Sequence, residues 1–174
     1  VSDLEAGLSL LSDLVPDFIP ADRQAALFVF RGGYPWCIRW PHYAERSLSE
    51  FNMHYSRRLP VDFTGHEPIL GPVDWNRYSD TEYVADFHRP MGIESSVGAR
   101  IFDAFEDRGY VLWLHRNGAG SRFSEGEVRT LYALCEQAGR LISLHSEIDA
   151  AKKRSISDPE LGPDADVLSR REAE

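Results

Sequence analysis

The chain has 174 residues, enough for one ordinary domain and a short remainder, and 43% of them are apolar, so it can build a core. Its net charge of −9 argues against binding nucleic acid through a general positive field. Two cysteines are too few for a disulfide framework, and no apolar run is long enough to span a membrane. The acidic start also lacks the basic region of a secretory signal. These features predict a cytoplasmic protein with no membrane contact.

One local pattern recurs along the chain: a serine followed three residues later by a glutamate. In this capping box each side chain satisfies a backbone N–H that lacks a partner at a helix start, so we interpret each occurrence as a helix start. The pairs are Ser2/Glu5, Ser47/Glu50, Ser79/Glu82, Ser124/Glu127, Ser157/Glu160 and Ser169/Glu172. The first box opens a helix that we expect to end at Pro16 and Pro20. Its apolar stripe comprises Leu4, Leu8, Leu11 and Val15.

Two strands and a second helix are predicted next. Residues 25–30 form a short apolar run, and a Gly-Gly turn leads into residues 34–40, where apolar side chains alternate. Pro35 has no backbone N–H to donate, which places the beginning of the second strand at a sheet edge. The box at Ser47 then opens a helix that ends before Pro60.

The middle of the chain predicts a short extended segment and a short helix. Residues 69–75 read as the extended segment. The box at Ser79 opens the helix, which Pro90 and Gly92 stop. Its apolar face consists of Tyr83, Val84 and Phe87.

A β-hairpin is predicted from residues 94–105 and 110–116. Two registers fit the sequence. The first places Arg100 opposite His115. A shift by one residue places Arg100 opposite Arg116, which is less favourable because like charges then face each other.

The last helix and the tail define the domain organisation. The box at Ser124 opens the longest helix, which we expect to reach about Lys153. Residues 154–167 are acidic and contain two prolines and a glycine, which is typical of a linker. A new capping box then opens a helix within 168–174. We therefore predict a folded domain over 1–153, a linker, and the start of a further domain.

Motifs that carry catalysis are missing from the sequence. There is no P-loop, no dinucleotide-binding glycine pattern, no zinc-protease motif and no nucleophile elbow. The six histidines have no metal-ligand spacing with one another or with a cysteine. Cys37 lies in the middle of a predicted strand, which favours a buried thiol over a nucleophile. We predict neither an enzyme nor a bound cofactor or metal; a small-molecule enzyme and a haem or metal protein are the open alternatives.

The aromatic residues are the strongest candidates for a binding site. They lie on the predicted strands and on the helices beside them, where they either fill the core or line a cavity for a small organic ligand. Cys37 and Arg100 are candidates for polar groups beside the rings. The residues that we predict to bind a ligand are Trp36, Trp75, Tyr83, Phe87, Trp113 and His115.

Three parts of the sequence stand in a fixed order. They are residues 83–93, Tyr-Val-Ala-Asp-Phe-His-Arg-Pro-Met-Gly-Ile; residues 112–116 with 122–127, Leu-Trp-Leu-His-Arg and Arg-Phe-Ser-Glu-Gly-Glu; and residues 168–172, Leu-Ser-Arg-Arg-Glu. In this order they resemble parts of the LuxR-type transcriptional regulators with a GAF-like sensor domain. The first resembles the short helix that leads into the central hairpin of that domain, and the second resembles the strand that ends in Arg and the Phe-Ser-x-x-Glu that opens its final helix. The third resembles the start of the DNA-binding helix-turn-helix.

The resemblance implies an α+β fold with a GAF/PAS-like central antiparallel sheet of about five or six strands, flanked by helices. The first and last helices would pack on one face of the sheet. It also implies a non-catalytic domain that senses a small organic ligand and contacts DNA only through a C-terminal domain. We predict a homodimer, with Leu8, Leu141 and His145 at the interface. A dimerisation scaffold that binds no ligand is the alternative.

Overall fold

Five strands and three α-helices, with three shorter helical segments, make up the computed structural model, which describes residues 3–31, 34–39, 45–60, 67–102, 109–118 and 122–157. The strands are β1 (Arg23–Arg31), β2 (Tyr34–Arg39), β3 (Ile69–Asp74), β4 (Ile93–Phe102) and β5 (Gly109–Asn117). The α-helices are α1 (Asp3–Phe18), α2 (Glu45–Glu50) and α3 (Glu125–Ser157). The shorter segments are two π-helices, Phe51–Tyr55 and Tyr83–His88, and a 3₁₀-helix, Trp75–Tyr78.

The strands form one antiparallel sheet in the order β2-β1-β5-β4-β3. This confirms the predicted α+β class and the central antiparallel sheet. β2 lies at an edge, as Pro35 predicted.

One face of the sheet is covered by α1 and α3, as expected for the first and last helices. The contact is almost entirely aliphatic, because each helix turns a stripe of apolar side chains towards the alternating inward residues of β4 and β5. Its fully buried members include Leu8, Val15, Val97, Leu112, Leu114, Leu131 and Cys135. We call this contact the aliphatic face.

The opposite face is covered by the π-helices and the 3₁₀-helix, in agreement with the helices predicted from Ser47 and Ser79. Here the buried side chains are mostly aromatic, and they pack on Val111 and Trp113 of β5. The sheet therefore separates two cores of different chemistry.

Three predicted helix starts or ends move by a few residues. Pro16 does not end α1, which runs on to Phe18, because a proline in the last turn removes only one backbone hydrogen bond. The helix of Ser47 is already formed at Glu45, so Ser47 lies inside it rather than at its cap. At the second π-helix the capping hydroxyl is that of Thr81, which accepts from Val84 N at 3.4 Å.

The capping box at Ser124 forms as predicted. Ser124 N and Oγ both donate to Glu127 Oε2, at 2.7 and 2.8 Å, and Glu127 N donates back to Ser124 Oγ at 3.3 Å. The backbone N–H groups of Ser124 and Glu127, at the start of α3, are thereby satisfied.

Both predicted hairpin registers are wrong. Arg100 faces Val111, and His115 faces Ser96. β4 is Ile93–Phe102 rather than 94–105, and Phe102 pairs with Gly109, which sets the observed register. The partner of Arg100 moves by an even number of residues, so the side chains predicted to share one face of β5 still share it.

The end of the domain also moves. α3 continues to Ser157, so residues 154–157 belong to the helix and not to the predicted linker. Ser2, the remaining linker and the predicted helix start at 168–174 lie outside the described residues. No helix within the described ranges is long and apolar enough to cross a membrane.

Candidate functional site

Two π-helices place the aromatic side chains over the sheet. Their wider turns are closed by hydrogen bonds between residues five apart: Ser56 N donates to Phe51 O at 2.9 Å, and Arg89 N donates to Val84 O at 2.8 Å. In such a turn residues five apart come together, and Tyr83 Oη lies 2.7 Å from His88 Nε2.

Eight buried residues with ring side chains pack into what we call the aromatic cluster. Its members are Phe51, Tyr55, Trp75, Tyr83, Phe87, His88, Trp113 and His115, and each is at most 6% exposed. The Trp75 and His88 ring centroids are 4.3 Å apart, and the Tyr83 and Phe87 rings stack at 5.6 Å. His88 and His115 meet edge to face with centroids 6.0 Å apart, which joins the helical side of the cluster to the sheet.

Gly98 of β4 provides the place where Trp113 lies against the sheet. A Cβ atom at residue 98 would approach the Trp113 ring to 2.8 Å, closer than real Cβ contacts allow. Any larger residue at 98 would therefore displace the indole. The glycine is required by this close approach and not by a turn.

A hydrogen-bonded chain of polar groups crosses the cluster. Trp75 Nε1 donates to Ser96 Oγ at 2.7 Å, and the same hydroxyl lies 2.6 Å from His115 Nδ1. Beside it, His88 Nε2 is bound to Tyr83, whereas His88 Nδ1 has no hydrogen-bond partner among the described residues. A buried polar atom without a partner is uncommon in native proteins and costly.

Both histidines of the cluster are neutral at pH 7. Burial lowers the pKa of His88 well below its ordinary value, with His115 as a second cause. Burial likewise lowers the pKa of His115 to about 3. A neutral imidazole has one donor and one acceptor nitrogen, so these two side chains can exchange hydrogen bonds with a polar ligand but offer it no charge.

Five of the six residues predicted to bind a ligand come together in this cluster: Trp75, Tyr83, Phe87, Trp113 and His115. The sixth does not. Trp36 is 40% exposed, and its neighbour Cys37 packs with the cluster side instead. Successive side chains on a strand point to opposite faces, so the structure places Cys37 and not Trp36 with the cluster.

The two other polar candidates have different surroundings. Cys37 is buried beside the cluster, and burial raises the pKa of its thiol, so it is not poised as a nucleophile. Its backbone N–H and C=O bind the Asn52 side chain at 2.8 and 2.9 Å. Arg100 lines a separate groove of about 470 Å³ with Pro68 and Tyr132 of the β3–α3 side.

Five contributors to the cluster were not among the residues predicted to bind a ligand: Phe51, Tyr55, His88, Ser96 and Gly98. His88 was one histidine among six, and its pairing with Tyr83 depends on a π-helical turn that no local pattern announces. Ser96 and Gly98 depend on the hairpin register, since they face His115 and Trp113 only in the observed pairing.

The predicted interface residues are divided between core and surface. Leu8 is 2% exposed in the aliphatic face of its own chain, so placing it at a dimer interface was wrong. Leu141 is 67% exposed, and the His145 side chain is 56% exposed, both on α3. These two remain available for contact with another molecule.

A second polar site lies where β5 meets both helices, and we call it the Arg116 junction. The Arg116 guanidinium donates to Pro20 O at 2.6 and 2.9 Å, to Arg122 O at 2.9 Å and to Glu127 Oε1 at 2.5 Å. It also lies 4.2 Å from the centre of the Phe123 ring. Arg116 and the capping bonds of Ser124 lower the pKa of Glu127 to about 2. β5 is thus tied to the end of α1 and to the start of α3.

Metal binding was one alternative left open by the sequence. Within the described ranges, no group of three or more His, Cys, Asp and Glu side chains is placed to hold a metal ion.

Solved structures of GAF domains share this arrangement of strands and helices. The GAF3 domain of Slr1393 from Synechocystis sp. PCC6803 matches with a TM-score of 0.63 at 17% identity, covering 85% of this chain and 98% of that one. The PixJ GAF domain of Thermosynechococcus elongatus, in its blue-light absorbing form, matches with a TM-score of 0.61 at 12% identity, covering 91% and 93%. A GAF domain/HD domain protein from Geobacter sulfurreducens matches with 0.56 at 14%, covering 82% and 94%.

The chain has the fold of a GAF domain. No family model matches its sequence, and no curated protein is significantly similar to it. The likeness therefore rests on backbone arrangement, and the function has to be argued from the site.

Proposed function

We propose that this GAF-fold domain is a non-catalytic sensor that binds a small organic ligand at the aromatic cluster. The observation that carries the proposal is the pair of buried, neutral histidines among aromatic rings, together with His88 Nδ1, which has no hydrogen-bond partner among the described residues. A core that served stability alone would gain more from apolar rings at these positions. Rigid aromatic walls with a few polar groups are typical of small-molecule sites.

We further propose that the domain belongs to a cytoplasmic bacterial regulator of the LuxR type. The ordered resemblance of residues 83–93, 112–127 and 168–172 supports this assignment, and the GAF fold is compatible with it. In this proposal a helix-turn-helix domain beginning near Leu168 binds DNA, while the GAF-fold domain supplies ligand dependence.

A route from the ligand site to α3 is provided by β5. His115 belongs to the aromatic cluster, and the next residue, Arg116, binds the capping glutamate of α3. A ligand that binds one arrangement of the cluster more tightly than another would shift the position of β5 and hence of α3.

We also propose that the domain dimerises through α1 and α3. Of the eight exposed large apolar side chains among the described residues, six lie on these two helices: Leu10, Leu14, Phe18, Leu141, Leu144 and Ile148. Those on α3 follow the 3-4 spacing of a helix-pairing seam. Each is at least 45% exposed, and a second copy of the same surface would bury these side chains.

Native mass spectrometry of the purified chain, followed by denaturation, tests the sensor proposal. A bound small molecule released in stoichiometric amount is the expected result. The Trp113→Phe variant should retain the fold and bind that molecule less tightly. Unchanged affinity in Trp113→Phe and in Trp113→Ala would place the ligand elsewhere and refute the proposed site.

Sedimentation of a Leu141→Glu/Leu144→Glu variant tests the dimer. We expect a monomer, because two buried carboxylates would face each other across the seam. Met53→Glu is the matched control, since Met53 is 68% exposed but lies outside α1 and α3. A double variant that still sediments as a dimer contradicts the proposed interface.

A further inference from the structure

Among the described residues, the hydrogen bonds of the aromatic cluster do not include His88 Nδ1. Trp75 Nε1 and His115 Nδ1 share the Ser96 hydroxyl, and Tyr83 binds His88 Nε2. His88 is 0% exposed, and its Nδ1 has no partner in the described part of the chain. A hydrogen bond supplied by a ligand at Nδ1 would remove the cost of that buried polar atom.

The cluster has no formal charge to offer. Its two imidazoles are neutral, and its remaining members are uncharged aromatic side chains. Burial is the first cause that raises the pKa of Tyr55, so this phenol is also neutral. A charged ligand group buried among the eight members of the cluster would lose its hydration without gaining a counter-charge from any of them.

The walls of the cluster favour a flat molecule. Tyr83 stacks on Phe87 with an angle of 20° between the rings, and Trp113 lies over Gly98, where the sheet has no side chain. Aromatic rings in such surroundings gain most from another planar ring, in stacked or edge-to-face contact.

We propose that the aromatic cluster binds an uncharged, planar aromatic compound that forms a hydrogen bond to His88 Nδ1. This inference rests on the proposed sensor function and specifies the class of ligand. His88 is then the residue that selects for a polar atom on the ligand. If Nε2 accepts from the Tyr83 hydroxyl, Nδ1–H is a donor; if Nε2–H donates to Tyr83, Nδ1 is an acceptor. A ligand hydroxyl, which both donates and accepts, fits either tautomer.

Three probes with one ring system separate the contributions: 2-naphthol, naphthalene and 2-naphthoate. They differ only in the substituent, which is a neutral hydroxyl, absent, or a carboxylate. Equilibrium dialysis against the whole chain at pH 7 should show 2-naphthol binding about tenfold more tightly than naphthalene, the value of one good buried hydrogen bond. 2-Naphthoate should bind more weakly than either.

The His88→Phe variant tests the role of Nδ1 directly. It should lower the affinity for 2-naphthol about tenfold and leave that for naphthalene unchanged, since the hydrogen bond to Nδ1 is the one ligand contact that phenylalanine cannot make. His145→Phe, the same substitution at an exposed histidine of α3, is the control and should change neither affinity. If His88→Phe does not fold, the comparison of the three probes on the unmodified chain still decides the matter.

Different results would contradict the proposed ligand class and the proposed sensor function. If 2-naphthoate binds as tightly as 2-naphthol, or if His88→Phe weakens all three probes equally, the ligand class is wrong while the site stands. If 2-naphthol fails to bind up to its solubility limit, the ligand class is refuted. Native mass spectrometry then decides the sensor function separately, through the charge and mass of any molecule released.

Discussion

The two faces of the sheet bury similar numbers of side chains, but the side chains differ in their chemistry. The aliphatic face, under α1 and α3, contains mainly Leu, Ile and Val side chains. The aromatic face contains rings and buried polar atoms, including His88, which lacks one partner among the described residues. The difference indicates that the aliphatic face supplies stability, whereas the aromatic face sacrifices some stability to present polar groups in an apolar site.

The two faces also differ in how they respond to acid. At the Arg116 junction a carboxylate is stabilised in its charged form, and the pKa of Glu127 is about 2. In the aromatic cluster the imidazoles are held in their neutral form, and the pKa of His115 is about 3. Unfolding takes up protons below pH 6.5 for the histidines and below pH 4.5 for Glu127, so the two regions lose stability in different pH ranges.

The largest expected effect is on the aliphatic face. Leu112→Ala removes a side chain with 0% exposure, and we expect a loss of about 2–5 kcal/mol in the free energy of unfolding, from lost burial and the cavity left behind. Urea denaturation measures it. Ligand affinity should be unchanged when corrected for the folded fraction.

Leu141→Ala is the matched control for Leu112→Ala. Leu141 is 67% exposed, so the monomeric domain should lose less than about 0.5 kcal/mol. If Leu112→Ala were equally mild, or if it abolished ligand binding in folded protein, the assignment of stability to this face would be wrong.

A smaller effect is expected at the Arg116 junction. Arg116→Gln breaks the ion pair with Glu127 and the bonds to two carbonyl oxygens, so we expect a loss of about 2–3 kcal/mol. Arg129→Gln is the comparison, because Arg129 pairs with Glu125 at 3.5 Å on the exposed surface and should contribute less than about 0.5 kcal/mol.

The same variant tests the route from β5 to α3. Hydrogen exchange should show faster opening of the first turns of α3 in Arg116→Gln than in Arg129→Gln. Of these two arginines, only Arg116 binds the capping residue Glu127. Equal exchange in the two variants would show that Arg116 does not anchor the helix start.

The third effect is a pH dependence that belongs to the aromatic face. Because His88 and His115 have lowered pKa values when folded, their contribution is complete above pH 6.5 and is lost as the pH falls towards the folded values. As the pH falls below 6.5, each of the two histidines should lower the free energy of unfolding by about 1 kcal/mol per pH unit. Urea denaturation at pH 7, 6 and 5 measures this slope.

Two variants test whether the change of unfolding free energy with pH comes from the aromatic cluster. His115→Phe should reduce this pH dependence, because the substituted residue takes up no proton on unfolding. His145→Gln, at an exposed position, should leave it unchanged. A slope that His115→Phe does not alter would mean that the buried imidazole is not the source of the acid sensitivity.

Much of the fold follows from local patterns in the sequence. The capping box of Ser124 and the proline at the sheet edge each depend on neighbouring residues only, and the structure contains both features. The face of β5 was also predicted, because alternation survives an even shift of register.

The site could be predicted only in part. Trp75, Tyr83, Phe87, Trp113 and His115 were found because aromatic residues at strand and helix spacing share a face. The role of His88 was not, since it needs a π-helical turn, and those of Ser96 and Gly98 need the exact pairing of β4 with β5. Pairing is decided by the length of the turn, which the residues of the turn specify only loosely.

The smallest expected effect separates a correct helix cap from an incorrect one. Ser124→Ala should cost about 1 kcal/mol of unfolding free energy, because the Ser124 hydroxyl accepts from Glu127 N in the formed box. Ser79→Ala should cost less than about 0.5 kcal/mol, since Thr81 and not Ser79 caps the helix of the aromatic face. Thr81→Ala should then resemble Ser124→Ala. Urea denaturation compares Ser79→Ala with Thr81→Ala. If Ser79→Ala lost more unfolding free energy than Thr81→Ala, Ser79 and not Thr81 would be the cap of this helix.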